Sequence, residues 1–261
     1  MRLLLLLASV LSFVPPALHA QPAKTPSVED ILNRYVRATG GEDAYKRIST
    51  VVMRGTMEIK AQGIKAEMLV YRADGGKSYS VVDIPGMGKQ EDGANGDVVW
   101  EKTALGPRLK TGVEKFLQTC AGEAMSEYVR AVAGKDTCYS KMEVAGEDMV
   151  NGRPVWKLIL TPKMGKLEEQ YFDKESGLLV QQKMTMPTPL GELPISLNIG
   201  GYKKIDGIET PTTVDTRLGP VEMQMNFSSV SYNEKIPEQI FALPPDIAAL
   251  VNAEKKTPAK N

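Results

Sequence analysis

The hydrophobic pattern of this chain begins with a helical period and becomes strand-like after residue 50. Val28, Ile31, Leu32, Tyr35 and Val36 recur every three or four residues behind Ser27 and Asp30 at capping spacing, which predicts a helix ended by Gly40-Gly41. A short helical turn over Asp43 to Arg47 is expected next. Val51, Met53, Met57 and Ile59 then fall on one side, with Arg54, Thr56, Glu58 and Lys60 on the other, as in a half-buried strand. Ile64, Ala66, Met68 and Val70 alternate with Lys65 and Glu67 beyond the Gln62-Gly63 turn, so the first two strands form a hairpin. Turn signals at Asp74-Gly75-Gly76, Asp92-Gly93, Asn95-Gly96, Asn151-Gly152, Ser176-Gly177, Asp206-Gly207 and Gly219-Pro220 extend this into a meandering antiparallel sheet. Their spacing predicts about ten strands. One long helix interrupts the meander, with Val113, Phe116, Leu117, Cys120, Ala124, Met125, Tyr128, Val129 and Val132 in helical phase and Gly134 as its stop. The fold class is α+β.

The N-terminus narrows the chemistry. Arg2, a short apolar run and the small residue Ala20 read as a secretory signal over residues 1–20, followed by a flexible lead-in over 21–27, one domain over 28–250 and a polar, disordered tail over 251–261. The chain's one histidine, His19, lies inside that signal. A mature protein without imidazole has no Ser-His-Asp triad, no Cys-His pair and no His-ligated zinc. Cleavage also removes Arg2 and no acid, leaving 31 basic against 32 acidic residues. That balance does not fit a nucleic-acid binder. Cys120 and Cys138 are an isolated pair, and in an exported protein such a pair forms a structural disulfide.

No nucleophile elbow, Walker A loop or dinucleotide fingerprint occurs. The Pro85 to Lys89 stretch reads as a mobile glycine-rich loop. Glu168-Glu169, and Asp173 with Glu175, are the remaining candidates for a carboxylate-dependent hydrolase, the least favoured class. Methionine stands out: thirteen against five phenylalanines and two tryptophans. Met184 with Met186, and Met223 with Met225 and Phe227, sit in phase on strand-like runs, as do Met53 and Met57, with Met68 on the facing strand. Two readings stay open for these eight residues. One is a soft face that repacks around apolar ligands; the other is an ordinary core filled by flexible side chains. Copper capture by thioethers lacks the usual M-x-x-M spacing, so no metal or cofactor is expected.

The order of several motifs resembles the periplasmic outer-membrane lipoprotein-sorting (Lol-type carrier) superfamily. They are Thr39-Gly40-Gly41 with Ala44 and Ile48, Arg54-Gly55, Trp100, Tyr171-Phe172-Asp173 through Ser176-Gly177-Leu178, Tyr202 to Pro211, and Ile236-Pro237 through Phe241-Ala242-Leu243-Pro244. The resemblance covers residues 28 to 245. It implies a curved antiparallel sheet, an open half-barrel, whose concave apolar face is covered by helices and accepts acyl chains. On this reading the protein is periplasmic or otherwise exported, soluble and monomeric, is not an enzyme, and holds a lipid or the acyl chain of a lipoprotein. The eight residues above would line the cavity, and Phe116, Leu117, Met125 and Tyr128 would belong to a movable lid. The alternative is an interaction or stress-sensor module that recognises an envelope membrane protein, since sensors of that kind share the half-barrel.

Overall fold

A computed structural model describes residues 25–122, 124–135, 137–188 and 191–256. The expected signal, most of the lead-in and residues 257–261 lie outside the described residues. Helix α1 (Val28–Ala38) begins at a capping box: the Asp30 N–H donates to Ser27 Oγ (3.1 Å) and the Ser27 N–H to the Asp30 carboxylate (2.9 Å). Helix α2 (Glu42–Lys46) follows. Then come β1 (Thr50–Ile59), β2 (Ile64–Ala73), β3 (Lys77–Ile84), β4 (Gly88–Asn95), β5 (Val98–Thr103) and β6 (Gly106–Leu109). Two helices, α3 (Gly112–Gly122) and α4 (Ala124–Val132), lead into β7 (Tyr139–Val150), β8 (Arg153–Pro162), β9 (Glu168–Asp173), β10 (Leu179–Thr188) and β11 (Gly191–Gly200). The chain ends with β12 (Lys203–Ile205), β13 (Ile208–Thr210), β14 (Thr213–Leu218), β15 (Val221–Tyr232) and α5 (Pro245–Lys256).

Thirteen strands form one antiparallel sheet in the order β6-β5-β4-β3-β2-β1-β15-β14-β11-β10-β9-β8-β7, and β12 with β13 forms a separate hairpin. The expected ten is therefore too few. Strands β4 (Gly-Lys-Gln-Glu-Asp-Gly-Ala-Asn) and β6 (Gly-Pro-Arg-Leu) have almost no apolar alternation, so backbone pairing holds them where periodicity gives no signal. The helix expected from Val113 to Val132 is described as α3 and α4, with residue 123 between them outside the described residues. Residues 251–256, expected to be disordered, continue α5, which the fully buried Ile247 anchors.

The sheet is open, and it curls. Helix α3 touches both β5 and β10, eight positions apart in the strand order. Its eleven residues span about 16 Å. In a flat sheet those strands would lie about 38 Å apart. Only a sheet bent around the helix satisfies both lengths, so the helix side is the concave side. The α3–α4 segment also links the two edge strands, β6 and β7.

Helices α1 and α4 pack over the β7–β10 end. Their core is Ile31, Leu32, Tyr35 and Tyr128 against Leu158, Leu160, Phe172 and Leu179. Tyr35, Tyr128 and Phe172 meet edge to face at centroid distances of 5.0, 5.6 and 6.1 Å, the favoured arrangement for aromatic quadrupoles. The disulfide between Cys120 and Cys138 ties α3 to the approach to β7 (Cα–Cα 6.0 Å).

Between β1 and β15 the register slips at Arg54/Gly55, and a Cβ on Gly55 would lie 2.2 Å from the Asn226 carbonyl oxygen. Gly55→Ala is expected to cost about 1–3 kcal/mol in urea unfolding through forced separation of these strands. Replacing Cys120 and Cys138 together by serine should lower stability by about 3 kcal/mol in the same measurement, with the fold retained.

Candidate functional site

Directly paired residues on neighbouring strands share a sheet face, so the register fixes the lining of the concavity. One row runs Leu158, Gln170, Gln182, Leu197, Thr216, Met223, Ile59, Ile64 across eight strands. Leu158 packs against α1 and α4, so this whole row faces the helices. The adjoining row is Ile199, Val214, Met225, Met57, Ala66. Further rows hold Phe227, Gly55, Met68, Val82 and Met53, Val70, Ser80, and Met184 pairs with Ile195 and Met186 with Leu193. All eight residues expected to line a cavity therefore lie on one face, the concave one.

Their burial differs. Met68 is buried (7% exposed), Met186 is 37% exposed at the rim, and Met57, Met184, Met223 and Met225 are half-buried. Met53 and Phe227 pack against the Ala44, Ile208, Val230, Tyr232 cluster beneath α2 and the β12–β13 hairpin, so both help to close that end. The lid candidates also separate. Phe116 and Leu117 on α3 are half-buried, whereas Tyr128 is a core residue of α4 whose hydroxyl donates to Gln170 Oε1 (2.9 Å). The side chain of Met125 lies outside the described residues.

An ion pair between Arg108 and Glu114 pins α3 at its N-terminal end. Arg108 on β6 donates to both Glu114 carboxylate oxygens (2.6 and 2.8 Å) and to Glu101 (2.6 Å). The hydrogen bond from Arg108 holds the Glu114 carboxyl below its ordinary pKa. With the disulfide at its other end, α3 is fastened near both sheet edges.

The carboxylate pairs considered for catalysis do not form. Glu168 and Glu169 alternate across β9: Glu168 faces the helices and Glu169 the convex side, where it accepts hydrogen bonds from Lys157 (2.7 Å) and Tyr171 (2.5 Å). Asp173 is committed to a turn, accepting from the Glu175 N–H, the Ser176 N–H and the Ser176 hydroxyl.

Sequence reasoning named Glu168 only as half of an acidic pair, and it missed Thr216 and Arg72 on the concave face. Glu168, 4% exposed, accepts from the Tyr139 hydroxyl (3.0 Å) and Gln182 Nε2 (3.2 Å), and burial raises its pKa. Thr216, 5% exposed between Leu197 and Met223, has a buried hydroxyl without a hydrogen-bond partner among the described residues. Arg72 continues the phase of Ala66, Met68 and Val70 and so points inward, a signal the alternation already carried.

No family model matches the sequence, and no curated protein matches it. Solved structures do resemble the fold. A DUF1329 family protein from Desulfovibrio piger has 17% identity and a TM-score of 0.55, covering 84% of this chain and 98% of that one. A LolA superfamily protein from Nitrosomonas europaea has 12% identity and a TM-score of 0.52, covering 84% and 99%. A putative outer membrane lipoprotein-sorting protein domain from Vibrio parahaemolyticus has 14% identity and a TM-score of 0.50, covering 77% and 93%. The chain has the Lol-type fold.

Glu168 gives this face a pH signature. Its folded pKa lies above the unfolded value, so the native state binds the extra proton and the contribution to stability falls as pH rises through that interval. Glu168→Gln should therefore gain stability over the wild type between pH 4 and pH 8, measured by urea unfolding at each pH. A difference that does not change with pH would remove the buried carboxyl from this account.

Proposed function

We propose that this is an exported, non-enzymatic carrier that holds the apolar chains of a lipid or an acylated lipoprotein against its concave face. The observation that carries this reading is the apolar centre of that face, interrupted there by Thr216 alone: Met57, Met223, Met225, Ile59, Val214 and Leu197 are direct or diagonal neighbours in register yet only half-buried. Unbranched thioether side chains repack around chains of different shape at little cost. A twelve-carbon chain leaving water for such a surface gains about 9 kcal/mol before the costs of association, enough for micromolar binding once those are subtracted. The resemblance to sorting proteins supports the ligand class by analogy of fold. The Cys120–Cys138 disulfide fits an oxidising compartment such as the periplasm.

Protein purified from cell envelopes should carry lipid in native mass spectrometry and bind a fluorescent twelve-carbon acyl probe. Met57→Glu and Met225→Glu should each weaken the probe at least tenfold, about 1.4 kcal/mol. Ser229→Glu, exposed on the opposite face beside Arg54, should leave binding unchanged. Absence of lipid, failure of the probe to bind and recovery of a stoichiometric protein partner would together replace the carrier by an interaction module.

A further inference from the structure

Arg72 is an unusual residue to find on this face. The β2 alternation turns it to the concave side with Ala66, Met68 and Val70, and the register places Val51 on one flank and Ser78 on the other. No hydrogen bond or ion pair reaches its guanidinium from any described residue. The side chain is half-buried, and desolvation lowers its pKa with no acidic neighbour to oppose it. The acids nearest in register on the same face are engaged elsewhere: Asp92, two strands on, and Glu101 both pair with Lys110, and Glu101 also pairs with Arg108. A partly desolvated cation without a counter-charge is costly to the folded protein, and substitutions that remove such a cost are readily tolerated unless it serves a function.

Two hydroxyl groups complete the surroundings. Ser78 lies directly across from Arg72 and Ser80 lies diagonally, both half-buried on the same face. Their Cβ atoms fall about 5 and about 7 Å from that of Arg72 by strand geometry. Neither hydroxyl has a partner among the described residues. A guanidinium fork with two hydroxyl donors is a recognition set for a phosphate or carboxylate.

We propose that Arg72, Ser78 and Ser80 form an anion-binding subsite at the end of the concavity, which takes the anionic headgroup of an amphiphile whose chain lies on the methionine-lined centre. This rests on the carrier reading and gives it a substrate class. The geometry is continuous: in the Arg72 phase of β2, Val70, Met68 and Ala66 lead from the subsite to Met57 and Met225. The anion supplies the missing counter-charge, and the apolar chain supplies most of the binding free energy.

The test compares ten-carbon amphiphiles below their micelle concentrations by isothermal titration: decyl phosphate, decanol and decyltrimethylammonium, with inorganic phosphate as the free-anion control. The wild type should bind decyl phosphate at least tenfold more tightly than decanol and should bind inorganic phosphate far more weakly than either. Arg72→Met should bind decanol and decyl phosphate alike, and without ligand its melting temperature should equal or exceed that of the wild type. Arg72→Lys should keep part of the preference. Equal wild-type affinity for decyl phosphate and decanol would overturn the subsite while leaving the carrier reading intact. Survival of the preference in Arg72→Met, or a lowered melting temperature in that variant, would do the same. Inorganic phosphate binding as tightly as decyl phosphate would overturn the amphiphile as the source of the anion. Failure of every ten-carbon compound to bind would overturn the carrier reading, and the subsite with it.

Discussion

The apolar part of a concave face that runs across thirteen strands must be kept from water, and the described covering elements reach only parts of it. Helices α1 and α4 seal the β7–β10 end, and α2 with the β12–β13 hairpin seals the region around Val230 and Tyr232. Between them the sheet solves the problem by curling, so that its arms approach each other across α3. Curling lowers exposure without filling the space. The result is a face whose central methionines are half-buried although they point inward. The proposed function follows from that mismatch between direction and burial.

The helical crossing depends on the same geometry. Segments α3 and α4 are the chain's route from one sheet edge to the other, fixed by Arg108 with Glu114 near β6 and by the disulfide near β7. The polar groups of the concave face are distributed unevenly. The hydrogen-bonded set beside the sealed end joins Glu168 with Gln182 and Tyr139, and separately Gln170 with Tyr128. Arg72 stands apart from that set and from any counter-charge among the described residues. A satisfied network adds rigidity, whereas an unsatisfied cation has a cost.

Much of this was legible in the sequence. The capping box of α1, the β1–β2 hairpin and the in-phase methionines are all period and turn chemistry, and the register confirms that those residues share a face. Less legible was whatever backbone pairing alone decides: β4 and β6 carry too few apolar residues to announce themselves. Tyr128 fitted a lid by phase, but its ring belongs to the core because α4 packs on α1 rather than over the opening. The adjacent acids Glu168 and Glu169 suggested a pair, yet consecutive residues on a strand point to opposite faces. Arg72 was readable from its phase; a charged residue within an apolar alternation is easily taken for a strand end.

The most direct measurement is methyl NMR of protein labelled at the methionine methyl groups, titrated with a twelve-carbon fatty acid. If the concave face holds the chain, the Met57, Met184, Met223 and Met225 methyl signals should shift together and saturate. Those of the exposed Met87, Met149 and Met164 should stay in place. Saturating binding that leaves the concave methionines unmoved, or that moves only the exposed ones, would contradict the account.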